Sequence, residues 1–249
     1  LELFSSEKVK SEKRILIVAA HPDDEILGCG GTVAKLIKQG YEAYTLLLGE
    51  GVTSRFNHNN KESLNDQLEL LKQESINANL LLGIKNLFFN DFPDNKFDSV
   101  SLLDIVKEIE KVKLVVSPRL IFTHHYGDLN VDHQITYKAV ITATRPTREE
   151  TVKEIYSFEI PSSTEWNSYT KETAFISNVF FDITDSIDIK LNAISCYKSE
   201  LRDYPHPRSL QHIKELAKVN GTKVGLDYCE NFILVRAIKN DDLFAFNQV

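Results

Sequence analysis

The stretch Ile15-Leu16-Ile17-Val18-Ala19-Ala20-His21-Pro22-Asp23-Asp24-Glu25 decides how this chain folds. A short β-branched run without alternation reads as a fully buried strand, the kind found at the centre of a parallel sheet. From Ile26 the apolar positions Ile26, Leu27, Val33, Leu36 and Ile37 return at helical spacing, and Gly40 supplies a stop. His21 to Glu25 therefore lie where a buried strand gives way to a helix, on the carboxyl edge where open α/β sheets bind ligands. Three adjacent carboxylates repel one another and cost stability unless a cation sits among them. Packing does not explain such a cluster; chemistry does.

A second motif follows about a hundred residues later: Thr123-His124-His125-Tyr126-Gly127-Asp128-Leu129-Asn130-Val131-Asp132-His133. Its context is the same, with Leu120-Ile121-Phe122 as a short apolar strand and Ile135, Ala139, Val140 and Ala143 outlining a helix. Two strand ends on one parallel sheet can face one crevice, which makes His21, Asp24 and His133 candidate ligands of a shared metal. Two imidazoles and one carboxylate leave a fourth position for water, as in catalytic zinc sites and unlike closed structural ones.

The sequence Ala20-His21-Pro22-Asp23-Asp24-Glu25 resembles the signature of the LmbE-like (PIG-L) zinc deacetylases, and the likeness extends from Arg14 to about Ile238. Glu74-xxx-Ala78-xxx-Leu82-Gly83 also resembles the family's helix after its second strand, a weaker pattern. Such enzymes remove the acetyl group from N-acetylglucosamine carried on phosphatidylinositol, on thiol precursors or on other glycosides. The resemblance implies a Rossmann-like fold, zinc on His21, Asp24 and His133, and Asp23 as general base. It further implies that zinc lowers the pKa of its water and that Asp23 takes the proton released on attack at the acetyl carbonyl. Many relatives carry His-Pro-Asp-His in the second motif, whereas Asn130 holds the first histidine's place here. Asparagine donates a hydrogen bond to an oxyanion but delivers no proton, so His125 is the candidate for the acid role. Asp132 matches the residue that orients a catalytic imidazole.

Neighbouring residues at a strand end point opposite ways, so only one of His124 and His125 can face the crevice; the expectation is His125. His58, His206 and His212 read as ordinary core or surface histidines. Asp128 is either a substrate contact or simply part of a Gly127-Asp128 turn. Arg55, in the polar loop Val52 to Lys61, is a candidate for a phosphate or carboxylate on the substrate. Trp166 and Tyr169 are candidates for stacking on a sugar face, and Arg202 to Ser209 reads as a stiff loop near the crevice or at a subunit contact.

The chain has 249 residues, 42% of them hydrophobic and 26% charged, enough to bury one substantial α/β core. Its net charge of -7, without a basic run, argues against nucleic acid as a partner. Cys29, Cys196 and Cys229 are odd in number and widely spaced, so neither a disulfide framework nor a cysteine zinc site is indicated. No apolar run reaches the ~18–20 residues of a spanning helix, and no secretory signal is read ahead of the first strand. The expectation is a cytoplasmic enzyme acting on a small amino-sugar conjugate, with a homo-oligomer compatible with the sequence. Residues 1–13 read as a tail and 14–249 as one deacetylase domain.

The remaining pattern alternates strand and helix: strands at Tyr41–Leu48, Leu87–Phe89 and Leu120–His124, helices at Leu64–Leu82 and Leu102–Lys111. This rhythm argues a mostly parallel sheet with helices on both faces. After Val152 come strands at Glu154–Ile160 and Asn178–Ile183, then helices at Ser186–Leu201 and Leu210–Val219. Gly28-Cys29-Gly30-Gly31 invites a dinucleotide reading, but Asp23, Asp24 and Glu25 occupy the turn where a pyrophosphate would sit. Those glycines fit close helix packing better. Two other function classes stand beside the deacetylase: an amidase for a larger acyl or thiol conjugate, and a non-catalytic sugar-binding protein on the same sheet. The presence of Asp23 weighs against the second, since a pure binder has no use for a base beside the metal.

Overall fold

The computed structural model describes residues 13–55 and 61–239. Seven strands form one sheet in the order β3-β2-β1-β4-β5-β7-β6. They are β1 (Arg14–Ala19), β2 (Glu42–Gly49), β3 (Asn86–Phe92), β4 (Leu120–His124), β5 (Glu154–Phe158), β6 (Val179–Asp182) and β7 (Cys229–Ala237). The first five run parallel, while β7 pairs antiparallel with both β5 and β6. The helices are α1 (Asp24–Lys38), α2 (Lys61–Leu82), α3 (Leu102–Val116), α4 (Val131–Ala143), α5 (Ile187–Ile194) and α6 (Leu210–Thr222). The sheet is mixed and mostly parallel, with helices on both faces, as the alternation implies.

The run Ile15–Ala20 is buried on both sides because its two faces serve two cores. Ile15 and Ile17 pack with Leu27, Val33 and Ala78 of α1 and α2, whereas Leu16 and Val18 pack with Ile105, Ile109 and Val140 of α3 and α4. Each fully buried Ile or Leu contributes roughly 1.5–3 kcal/mol, which fixes β1 at the sheet centre. The chain grows from β1 outward through β2 and β3, then returns to place β4 on β1's other side. That reversal opens a crevice above the carboxyl ends of β1 and β4. Both sequence motifs begin there.

The small residues of α1 permit close packing. A Cβ on Gly28 would lie 2.5 Å from the Phe158 ring, and one on Gly31 would lie 3.0 Å from Ile183.

Two expectations need correction. The helix expected over Ser186–Leu201 ends at Ile194, after which the chain turns and carries the Tyr197 hydroxyl to Glu25. Strand β7 was not anticipated, because Glu230 and Asn231 interrupt its apolar pattern. Both are buried through specific partners. Glu230 accepts the Gly31 and Thr32 N–H groups at 3.0 and 2.7 Å and pairs with Lys190 Nζ at 2.6 Å, and Asn231 accepts from Asn220 at 2.6 Å. Among the described residues no helix is long and apolar enough to cross a membrane.

Candidate metal centre

His21 leaves the end of β1, Asp24 opens α1, and His133 lies in the first turn of α4, whose N-cap is Asn130. Each offers one ligand atom, and these atoms lie within 4.8 Å of one another. Asp24 Oδ2 is the hub, 3.4 Å from His21 Nδ1 and 3.3 Å from His133 Nε2. Tetrahedral ligands at ~2.0–2.1 Å from one ion would stand about 3.3 Å apart, so the spacing suits an ion. Asp24 Oδ1 and both ring nitrogens of His133 are buried without a hydrogen-bond partner, a costly state unless something else completes them.

The outer nitrogens are held by further carboxylates. His21 Nε2 stands 2.8 Å from Asp132 Oδ2 and 3.3 Å from Asp94 Oδ1. Asp132 also accepts from the backbone N–H groups of Asn95 (2.7 Å) and Phe97 (2.9 Å), locking the loop after β3 under the site. His133 Nδ1 lies 3.1 Å from Asp128 Oδ1. Asp128 is in turn gripped by Ser163 and Thr164 hydroxyls and by the Asn130 N–H at 2.8 Å. Carboxylates behind metal-bound imidazoles fix ring orientation and raise basicity.

The electrostatics favour positive charge. Burial opposes the charged form of His21, but its hydrogen bonds to Asp132 and Asp24 outweigh it and push its pKa up to about 10. Burial likewise opposes charge on His133, and Asp24 and Asp128 push it up to about 9. Asp24 is desolvated too, yet His133 and His124 hold it well below the usual carboxylate range. The close spacing of the three ligand atoms and the unpartnered buried atoms of Asp24 and His133 fit a divalent cation.

Asp23 is buried at the N-cap of α1 with φ 99° and ψ −31°. Such strain costs about 1–3 kcal/mol and clusters at functional sites. Burial raises its pKa, the charge of Arg208 opposes that rise, and Asp24, Glu200 and Glu25 add to it. Arg208 Nη1 donates to Asp23 Oδ2 at 2.9 Å, while its Nε donates to Ser162 Oγ at 3.0 Å. Glu25, next along, is fully buried; burial drives its pKa up to about 7 against hydrogen bonds from Tyr197 and Asn79.

Several candidate residues lie otherwise than expected. It is His124 that packs on the centre: its ring stacks on His133 at 4.0 Å, and its Nε2 accepts the Ala20 N–H at 2.8 Å and lies 3.5 Å from Asp24 Oδ2. His125 turns the other way, its Nε2 3.0 Å from Thr173 O and its ring against Tyr126 and Phe175. The alternation holds with the opposite phase. Asn130 uses Oδ1 to cap Asp132 N at 2.8 Å and Nδ2 to reach Asn95 Oδ1 at 2.9 Å. Asp128 serves His133. The side chain of Arg55, and His58 with it, lie outside the described residues. Trp166 is exposed and meets the His206 ring edge-on at 5.7 Å.

Sequence reasoning missed Asp94, Asn95 and Tyr197. It placed Arg208 in a stiff loop near the crevice or at a subunit contact, without seeing that this arginine reaches Asp23.

The family model for PIG-L, described as GlcNAc-PI de-N-acetylase, matches residues 16–144. The chain is 29% identical to the uncharacterized deacetylase YaiS of Escherichia coli K12, over 75% of this chain and 91% of that protein. It is 26% identical to the diacetylchitobiose deacetylase of Thermococcus kodakarensis, over 96% and 89%. Among solved structures, the 4-carboxy-2-hydroxymuconate hydratase GalB of Pseudomonas putida KT2440 superposes with a TM-score of 0.71 at 22% identity, covering 92% of this chain and 99% of that one. A hydratase and deacetylases thus share the fold, and the reaction has to be argued from the family and the site.

Proposed function

The chain belongs to the PIG-L family of de-N-acetylases, and we propose that it hydrolyses the N-acetyl amide of an N-acetylglucosamine-type conjugate, giving acetate and a free amine. The observation that carries this reading is the convergence of His21, Asp24 and His133 beside a buried, strained Asp23. Mixed nitrogen and oxygen donors suit zinc while tolerating other divalent ions. When bound there, zinc supplies Lewis-acid polarisation of the acetyl carbonyl and of the attacking water.

The chain's own residues do the rest. Asp132 accepts from the outer nitrogen of His21, and Asp128 stands 3.1 Å from that of His133, so the inner nitrogens of both rings would hold the metal together with Asp24. Asp23 takes the proton of the attacking water and returns it to the departing nitrogen as the C–N bond breaks. With His125 turned to Thr173 and Asn130 occupied in capping, Asp23 is left to serve as both base and acid. Arg208 steadies the Asp23 carboxylate throughout. The free thiols Cys29, Cys196 and Cys229 support a reducing, cytoplasmic setting.

The test is acetate release from N-acetylglucosaminides that are phosphatidylinositol-linked, malate-linked, nucleotide-linked or oligomeric, with and without chelator. Release that is lost on chelation and restored by zinc is expected. Release indifferent to chelation would refute the metal reading, and tight binding without release would favour the sugar-binding alternative.

A further inference from the structure

The strained backbone of Asp23 has to be over-determined by its surroundings. Its own carboxylate makes no capping bond to α1 and is turned to Arg208. The restraint comes from Glu25, whose Oε2 accepts the Asp23 N–H at 3.0 Å. The other oxygen, Oε1, accepts from Asn79 Nδ2 at 2.8 Å and from the Tyr197 hydroxyl. Asn79 is itself fixed, accepting from Thr45 Oγ1 at 2.9 Å and donating to Ser75 O at 2.9 Å. Glu25, Thr45, Ser75 and Tyr197 are fully buried and Asn79 nearly so.

A glutamate that reaches back to the N-cap N–H is half of a capping box, here one residue early in the helix. Burying a carboxylate at this depth is unfavourable, and an apolar side chain would satisfy packing alone at less cost. The network therefore serves the turn at Asp23. We propose that Glu25 is a positioning residue for Asp23. It holds the backbone in the conformation that presents the carboxylate to the site, while Asn79 on α2 and Tyr197 after α5 tie that conformation to the flanking helices.

The catalytic part of this role rests on the reading of Asp23 as the base; the backbone part does not. Three variants separate them. Glu25→Leu removes the acceptor at similar volume, Glu25→Gln keeps an acceptor, and Asn79→Ala with Tyr197→Phe frees Glu25 to swing should Glu25→Leu fail to fold. Hydrogen exchange of the Asp23 amide, read by NMR, reports the backbone. The ratio of kcat to KM effects at measured metal content reports the chemistry.

The Asp23 amide is expected to be protected in the wild type and in Glu25→Gln, and to exchange about tenfold faster or more in Glu25→Leu. Misplacing the base should lower kcat roughly 10- to 100-fold, with KM and metal content nearly unchanged and most of the loss rescued in Glu25→Gln. The double variant should move both readouts in the same direction. A folded Glu25→Leu, or the double variant in its stead, with a protected Asp23 amide and normal kcat would overturn the proposal, whatever its melting temperature. Asp23→Asn in the same assay tells the two readings apart. Full turnover there means that Asp23 is not the base, while rapid amide exchange in Glu25→Leu would still establish the backbone restraint.

Discussion

Replacing Asp132 by Asn separates a residue that merely clamps a loop from one that prepares a metal ligand. Asp132 accepts three hydrogen bonds, from His21 Nε2 at 2.8 Å, Asn95 N at 2.7 Å and Phe97 N at 2.9 Å. The first two fall on Oδ2 and the third on Oδ1. An asparagine keeps one acceptor oxygen, and the lower-cost orientation places it where Oδ2 was. The new amide NH2 then opposes the buried Phe97 N–H, donor against donor. Losing one hydrogen bond to a charged acceptor costs ~1.5–3 kcal/mol, so the metal-free protein should lose about 2–3 kcal/mol. For a chain of this size that is a drop of about 4–12 °C in melting temperature.

His21 meanwhile exchanges a charged partner for a neutral one, and loss of such an outer partner lowers metal affinity by ~10–100-fold. Differential scanning calorimetry on chelated protein measures the first effect, and zinc competition against a chromophoric chelator the second. If stability fell as calculated while zinc affinity stayed at the wild-type value, Asp132 would be a loop clamp only. His21 would then not be the ligand argued for above.

Other substitutions test other links. Alanine at both His21 and Asp24 should abolish stoichiometric metal binding, and a variant that kept full metal by elemental analysis would remove the ligand assignment. Asp23→Asn should keep the metal and lower turnover by ~10²-fold or more; unchanged turnover would move the base elsewhere. His125→Ala should lower kcat by less than about tenfold, below the ~10²–10⁴-fold range of a lost acid or base, because its Nε2 is engaged with Thr173 O. A fall as deep as that of Asp23→Asn would restore His125 as the proton donor. Gly28→Ala gains up to ~1 kcal/mol of helix propensity but sets a Cβ 2.5 Å from the buried Phe158 ring, an overpacking worth ~1–3 kcal/mol. A net loss of about 1–2 kcal/mol in urea unfolding is expected, and a stabilised variant would show that α1 can shift without strain.

The buried strand, the helix that follows it and the placing of both motifs on one sheet edge are written in local periodicity. That period belongs to the backbone and can be read without knowing any partner. The candidate ligands share this legibility, since each lies within a few residues of a strand end whose place in the sheet the apolar run already implies. Partners distant along the chain are another matter. Arg208 meets Asp23 across 185 positions and Tyr197 meets Glu25 across 172, and no periodicity spans such gaps. The phase at His124 and His125 shows the limit most clearly. Alternation dictates that the two rings point apart, but which one meets the candidate metal centre depends on where α4 sets His133 against β4. That is a packing decision taken by two cores together, so it exists only once the sheet has closed around it.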